Sequence, residues 1–413
     1  MIHREQDRIV FEGELYIGDL LGPIAVLHQA VTAGFGDLIL DFSQCTAAFA
    51  PPILALCAQV MKLRNTGVEF HVELPEKVEL ARLFRNANWA HFLSPDENPP
   101  SEFKGFTQVP ATHFTNDVEQ RQAVNRIVNG ILGAIPDLDR RELAALEWSV
   151  SEITDNVLVH SRSPIGGLIQ VSTFQRANKR IEYIVADAGV GIPGTLRPSH
   201  PELTSDAAAL ERAIREGVTR DSDVGQGNGL YGSYQICSHS IGSFHLESGY
   251  GKLTFTERQG LRVTTERVPF NGTLVVAQIN FSDPRLLAEA LRFGGRQHIP
   301  VDFVETNYEQ HDRAEALFVM RNETTSFGSR IAGTPVRNRL MNLVRMCPGQ
   351  RIIIDFADIP LVSSSFADEV LGKLFVALGP MTFAQRFEFR NVATTVQQLI
   401  DKAITQRLSQ PSQ

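Results

Sequence analysis

The chain has 413 residues, too many for one ordinary core, so two or three domains are expected. With 43% hydrophobic and 21% charged residues it has the composition of a globular protein rather than a disordered one. The net charge of −8, with no basic run to offset it, excludes a general attraction to nucleic acid or to an anionic lipid surface.

Cys45, Cys57, Cys237 and Cys347 lie far apart and form no Cys-x-x-Cys pair, so reduced, buried thiols are expected rather than a metal site. The opening "MIHREQDRIVFEGE" has no apolar core of the signal-peptide kind. The most apolar stretch, "TAAFAPPILALCAQVM", is broken by Pro51, Pro52 and Gln59, and falls short of the roughly 18 residues of a membrane span. A cytoplasmic protein without a membrane partner is the expectation.

In the first block, residues 1–100, "DLILDFSQ" (37–44) predicts a short buried strand with a polar exit. A Pro-marked turn and a helix over about 53–64 follow, and "VEFHVEL" (68–74) alternates like a second strand. The Pro-, Ser- and acid-rich segment 94–105 predicts a linker. The central block, 106–282, opens with helical patterns around 117–135 and 139–161. Strands are predicted over 167–175 and 180–189, a loop-rich stretch over 190–229, a helix from about Leu230, and strands over 242–248, 251–257 and 272–281. Helices beside a mixed sheet predict an α/β sandwich. The third block, 283–413, contains a strand at 316–320, a helix near 336–346 and "IIIDFADIPLVSSSFADEVLGKL" (352–374). That segment repeats the plan of "LILDFSQCTAAFAPPILALCAQV" (38–60): an apolar strand ending in Asp-Phe, a turn of similar length, then an apolar helix.

Within the helix at 139–161, Leu143, Leu146, Val150, Ile153 and Val157 form a core-facing stripe. Glu152, Asn156 and His160 drift only about 40° per step and form a second stripe beside it. A half-buried carboxylate and amide need partners, and Glu and Asn oxygens are hard ligands suited to Mg²⁺. A solvated helix face with a hydrogen-bonded Asn is the plainer alternative. "DAGVGIP" (187–193) puts Asp187 at the end of an apolar strand, where a carboxylate can accept from an exocyclic amine. Gly189 and Gly191 let the backbone pass close to a flat ring, although a tight turn would use the same residues. "GQGNGLYG" (225–232) runs glycine-dense backbone into a helix N-terminus, which presents N–H groups to anionic oxygens. No Gly-Lys-Ser/Thr follows as in a Walker A loop, and no βαβ unit precedes it as in a Rossmann fingerprint.

The order of these motifs, closed by Gly272-Thr273 at the start of a strand, resembles the Bergerat-type ATP-binding fold over about residues 140–281. That superfamily includes gyrase B, the large heat-shock chaperone, MutL, histidine kinases and the anti-sigma-factor serine kinases. The resemblance implies ATP and Mg²⁺ as cofactors. Asn156 would hold Mg²⁺, and Glu152 would act as general base or orient an attacking water or hydroxyl. Asp187 would bind the adenine amino group, Gly189 and Gly191 would let the ring pack closely, and Thr273 would contact adenine. Gly225, Gly227 and Gly229 would wrap the phosphates in a mobile lid, with Leu230 opening the helix beside them. His160 falls where such kinases often carry His, and Arg220 and Lys252 are basic residues that could reach the γ-phosphate.

His113, in "PATHFTND", lacks the acidic neighbour and paired heptads of a sensor-kinase phosphoacceptor, which disfavours an ordinary two-component kinase. The segment 352–374 is similar to STAS domains, which present a Ser or Thr at the start of a helix. Ser364 is the nearest match to that phosphoacceptor, although Phe366 stands where Gly is common. The alternative is that Ser363, Ser364 and Ser365 simply cap a helix. The same turn in the first block, Phe49 to Pro52, offers no hydroxyl and reads as a docking or dimerisation surface. The expectation is therefore an α/β protein of the α+β sandwich kind: a central histidine-kinase-like ATPase domain between two STAS-like α/β domains. It would be a Mg²⁺-dependent ATP-binding regulator, acting as an ATP-driven switch or as an anti-sigma-type serine kinase. The target would be a STAS-type or sigma-regulatory protein partner, or its own Ser364. A slow ATPase machine, homodimeric in one version, and a non-catalytic nucleotide-sensing scaffold are the alternatives.

Overall fold

The computed structural model describes residues 1–102, 109–174, 179–215, 217, 228–281, 290–293, 295–300, 302–310 and 314–409. In the first block, β1 (Ile2–Glu5) and β2 (Arg8–Phe11) form an antiparallel hairpin in addition to the two expected strands. Helix α1 (Leu21–Thr32) crosses over to β3 (Asp37–Asp41), and α2 (Ala50–Arg64) crosses over to β4 (Glu69–Glu73). Both β2–β3 and β3–β4 pair in parallel, as crossover helices require. The short helices α3 (Val78–Asn86) and α4 (Trp89–Leu93) complete the block. Pro51 and Pro52 sit in the first turn of α2, where their missing N–H groups cost nothing. The continuous apolar run beyond them is buried all round.

The central block is built on five strands: β5 (Thr112–Phe114), β6 (Gly167–Phe174), β7 (Arg180–Asp187), β8 (Ser243–Thr256) and β9 (Gly260–Asn280). Their order is β8-β9-β7-β6-β5 and every pair is antiparallel. The sheet is thus not the mixed one expected. β8 and β9 close as a hairpin on the far side of β7, so the long connection after β7 creates no parallel pair. Helices α5 (Asp117–Ala134) and α6 (Arg140–Asn156) precede β6, and α6 continues into a π-helical turn, Val157–Ser161. The stretch read as loop-rich also carries α7 (Gly191–Leu196) and α8 (Asp206–Ala213) before α9 (Gly229–His239). The Ser205 side chain caps α8 by accepting from the Ala208 N–H at 3.1 Å, ahead of a run of good helix formers.

By packing, the chain falls into two compact units. One comprises Met1–Glu102, Val109–Val124 and Trp148–His298; the other holds Asn125–Glu147 and Ile299–Gln413. In the first unit, one face of the antiparallel sheet (Leu168, Ile184, Ala186, Leu274 and Val276) shares a core with Leu54, Phe84 and Trp89 of the first block. Two buried polar side chains pin this packing. Trp89 Nε1 donates to Gln170 Oε1 at 2.7 Å, and Gln59 Nε2 donates to the Asn271 carbonyl at 3.1 Å. Gln59, which interrupts the apolar run of α2, therefore has a specific partner.

In the second unit, β10 (Glu309–Gln310), β11 (Glu315–Val319), β12 (Arg351–Asp355) and β13 (Phe387–Arg390) form a sheet in that order. The first pair is antiparallel and the other two are parallel, the same order and directions as β1 to β4. Helix α10 (Arg330–Met346) precedes β12. After β12 come α11 (Ser364–Ala367), a π-helical turn (Asp368–Gly372) and α12 (Lys373–Leu378), and α13 (Thr394–Leu408) follows β13. The two Asp-Phe strand ends share a local device. Asp41 Oδ1 accepts from the Ser43 N–H and Asp355 Oδ1 from the Ala357 N–H, both at 2.9 Å. Asn342, fully buried on α10, accepts from the Leu138 N–H and donates to the carbonyls of Leu132 and Ile135 at 2.9 and 2.8 Å.

All four cysteines are buried and free. Among the described residues no helix is long and apolar enough to cross a membrane.

Candidate functional site

The first unit contains a cavity of about 800 Å³ lined by α6, the turn after β7, the start of α9 and strand β9. That volume suits a cofactor-sized ligand. Its wall is set by strand alternation. Tyr183, Val185 and Asp187 point to the face of β7 that carries α6, while Ile184 and Ala186 point to the first block. A chain of buried hydroxyls fixes the layers: Ser149 on α6 lies 2.7 Å from Tyr183 Oη and donates to Ser233 Oγ on α9 at 2.8 Å. Ser233 in turn donates to the Gly229 carbonyl at 2.8 Å.

Glu152, Asn156 and His160 all line this cavity, as do Asp187, Gly191, Gly229, Leu230 and Thr273. Spacings of four along α6 and its π-helical extension bring the three polar side chains onto one wall. Burial, with Asp155 nearby, holds the Glu152 carboxyl above the usual carboxylate range. Its Oε2 lies 2.5 Å from the point where a Cβ on Gly229 would stand, so the carboxylate rests against the bare first residue of α9.

Asp187 ends β7 and is 2% exposed. Its Oδ1 accepts from the Gly189 N–H at 2.8 Å, and the carboxylate also accepts from the backbone N–H and the hydroxyl of Thr273. Burial pushes the Asp187 carboxyl up to about 6, against the pull of these donors and of Lys62 on α2. A tight turn holds the motif. The Val190 N–H donates to the Ser161 carbonyl at 2.8 Å, and Ser248 Oγ donates to the Gly272 carbonyl at 2.6 Å while accepting from the Ile192 N–H at 2.9 Å.

Here the glycines answer to the protein's own packing. A Cβ at Gly189 would stand 2.0 Å from the Ser161 carbonyl oxygen, and one at Gly191 2.4 Å from Ser248 Oγ. Gly191 has φ +71° and Gly272 has φ +139°, conformations that favour glycine. Gly191 also borders the cavity; Gly189 is packed behind it.

Gly225, Gly227 and Arg220 lie outside the described residues. Lys252 pairs with Glu247 and Glu266 at 3.7 and 3.5 Å and is not part of the cavity wall. His113 has its ring Nε2 against the Ile165 carbonyl on the edge strand β5. Sequence reasoning missed Asp117, Gln120 and Arg121 of α5, Trp148 of α6, and Phe293 and His298, all of which border the cavity. Of these, only Trp148 had a signal, since it lies four residues before Glu152.

Ser364 belongs to the second unit. Ser363 is the N-cap of α11 and accepts from the Phe366 N–H at 3.0 Å, so the capping expectation holds for that residue. Ser364 is the first residue of the helix and is exposed.

The architecture is that of an α/β protein whose second unit has the strand plan described above. Residues 332–397 of that unit match the family model described as a STAS-like domain of unknown function (DUF4325). The match takes in α10 from its third residue, β12, the Ser363–Ser365 turn and β13. The chain therefore carries a STAS-like domain at its C-terminal end. No curated protein matches the chain.

Proposed function

We propose that the cavity of the first unit binds Mg²⁺-ATP and that the protein is an ATP-dependent regulator working with its STAS-like domain. The carrying observation is the junction of Asp187 with Thr273 at one end of a cavity whose wall bears Glu152 and Asn156 one helical turn apart. Four elements distant in sequence supply one lining, and each supplies the residue type that adenine nucleotide recognition needs.

The donor set fits the group. Asp187 is a buried acceptor already oriented by Gly189 and Thr273, which suits an exocyclic amine. Asn156 offers an amide oxygen at the cavity wall and would hold the metal. When bound, Mg²⁺ would screen phosphate charge. Glu152, its carboxyl raised by burial and therefore more basic, is suited to orient water or a hydroxyl and to take its proton. Gly229 opens an eleven-residue helix at the wall, so its end presents unpaired backbone N–H groups to an anion.

Isothermal titration with Mg²⁺-ATP tests the proposal. Binding is expected for the native chain, with loss in Asp187→Asn and weakening in Asn156→Ala. An absence of heat with the native chain would reject it.

A second reading, transfer of phosphate to a serine of the STAS-like domain or of a STAS-type protein partner, is favoured by the exposure of Ser364 at the start of α11. The first block, with the same strand plan and no hydroxyl at the matching turn, would then serve in docking or dimerisation.

A further inference from the structure

We propose that His298, held by Trp148 and Phe293, is the residue that recognises the terminal phosphate of the bound nucleotide; this rests on the ATP reading above. Trp148, Glu152, Asn156 and His160 follow at intervals of four, and all four border the cavity. The Asp187 turn joins this stripe at its far end. The Val190 N–H reaches the Ser161 carbonyl, and Thr195 Oγ1 donates to the His160 carbonyl at 3.3 Å. The base end of the cavity is therefore at His160 and the opposite end at Trp148. Twelve residues of helical rise separate them by about 18 Å, the reach of an extended nucleoside triphosphate.

At the Trp148 end stands a cluster that no recognised motif explains. The strands Arg292–Phe293 and Arg296–Gln297 form a small hairpin, closed at its base by the His298 N–H donating to the Leu291 carbonyl at 2.7 Å. Ring centroids of Trp148, Phe293 and His298 lie 5.6 to 6.0 Å apart, pair by pair. The cluster rests on α9, where a Cβ at Gly232 would stand 2.3 Å from the Trp148 ring and 2.9 Å from the Phe293 ring. It thus adjoins the helix end that faces Glu152.

The charges give the cluster a purpose. Among the described residues the cavity wall carries four carboxylates, Asp117, Glu152, Asp155 and Asp187, and three basic side chains, Arg121, His160 and His298. Arg121 acts on Asp155, and His160 lies at the base end. Among the described residues His298 is the basic group of the lining at the Trp148 end. It is exposed, and its ring, tilted against Trp148 and Phe293, offers an N–H donor to a phosphate oxygen. Ile299, the next residue, begins the second compact unit. A phosphate held by His298 would therefore sit one residue before the chain enters the second unit.

The test is the affinity of the full chain for Mg²⁺-ATP and Mg²⁺-ADP in His298→Ala and His298→Gln. Loss of a hydrogen bond to a charged oxygen should weaken ATP about 10- to 100-fold in His298→Ala. ADP should change less than about twofold, and His298→Gln, which keeps a donor, should recover part of the ATP preference. Retained ADP binding reports an intact fold; where His298→Ala fails to fold, His298→Gln decides, a weakened ATP affinity beside native ADP affinity supporting the proposal. Equal weakening of ATP and ADP, or no change in either, overturns the role of His298. A native chain that binds neither nucleotide overturns the ATP reading itself.

Discussion

Glu152 Oε2 lies 2.5 Å from the position a Cβ would take on Gly229, so the first residue of α9 and the carboxylate on α6 occupy each other's space. Gly229→Ala must push the carboxylate aside or shift the helix. In the proposed site this should lower ATP turnover at least tenfold, the scale of losing one positioned proton acceptor. Phosphate release at saturating ATP checks it; unchanged turnover would detach Glu152 from the chemistry.

Asp187 and Thr273 make the second relationship. Thr273→Val keeps the shape and removes the hydroxyl donor to Asp187. The remaining carboxylate is then less well held, and adenosine affinity should fall about tenfold, the value of a hydrogen bond to a charged group. Titration with adenosine reads the base subsite without phosphate or metal.

The raised Asp187 carboxyl predicts a pH dependence of known sign. Its folded value of about 6 exceeds the usual 3.8, so the native state holds the proton more tightly than the unfolded chain. Its contribution is fully present below about pH 4 and is lost as pH rises through 6, amounting to about 3 kcal/mol. Denaturation at pH 5 and 7 should show the native chain losing stability relative to Asp187→Asn. Adenosine binding should run the other way, strengthening above pH 6, where the ionised carboxylate can accept from the amine.

In the second unit, Arg339 and Glu323 form a buried pair at 3.3 Å, 1% and 5% exposed, with Tyr308 Oη donating to Asn129 Oδ1 at 2.8 Å beside them. Glu323→Ala leaves the guanidinium buried beside a missing counter-charge and should cost about 3–5 kcal/mol. A double Glu323→Leu, Arg339→Met variant should recover much of that. Chemical denaturation of the three chains measures it.

Exposure of Ser364 and the capping role of Ser363 separate two serines that look alike in sequence. If phosphate reaches this turn, mass spectrometry after incubation with Mg²⁺-ATP should find it on Ser364, with Ser364→Ala abolishing it and Ser363→Ala only destabilising α11 by about 1 kcal/mol. Label elsewhere, or none, would remove Ser364 as the acceptor.

Much of the first unit's wall was legible. The four-residue spacing of Glu152, Asn156 and His160 is a property of one helix, and the Asp187 and Gly229 motifs flank predictable strand and helix ends, so local periodicity carried them. Other parts were not. Asp117, Gln120 and Arg121 reach the cavity from a helix whose pattern shows only amphipathicity, and Phe293 and His298 follow the last predicted strand of the central block without any motif. The helices α7 and α8 were hidden because the Pro and Gly residues around them outweighed a short capped run at Ser205.

By itself the sequence determined the longer helices and the buried strands, their apolar faces and the repeated Asp-Phe strand ends, because these depend on neighbours within a few residues. Only the tertiary structure decided that the sheet is antiparallel throughout and that it shares a core with the first block through Trp89–Gln170 and Gln59–Asn271. It also decided that the glycines at 189 and 191 are demanded by Ser161 and Ser248. Those outcomes are set by which surfaces exclude water together and which buried polar atoms find partners. Such pairings join residues as far apart as Gln59 and Asn271, separated by 212 positions, and they leave no period in the chain for a sequence reading to detect.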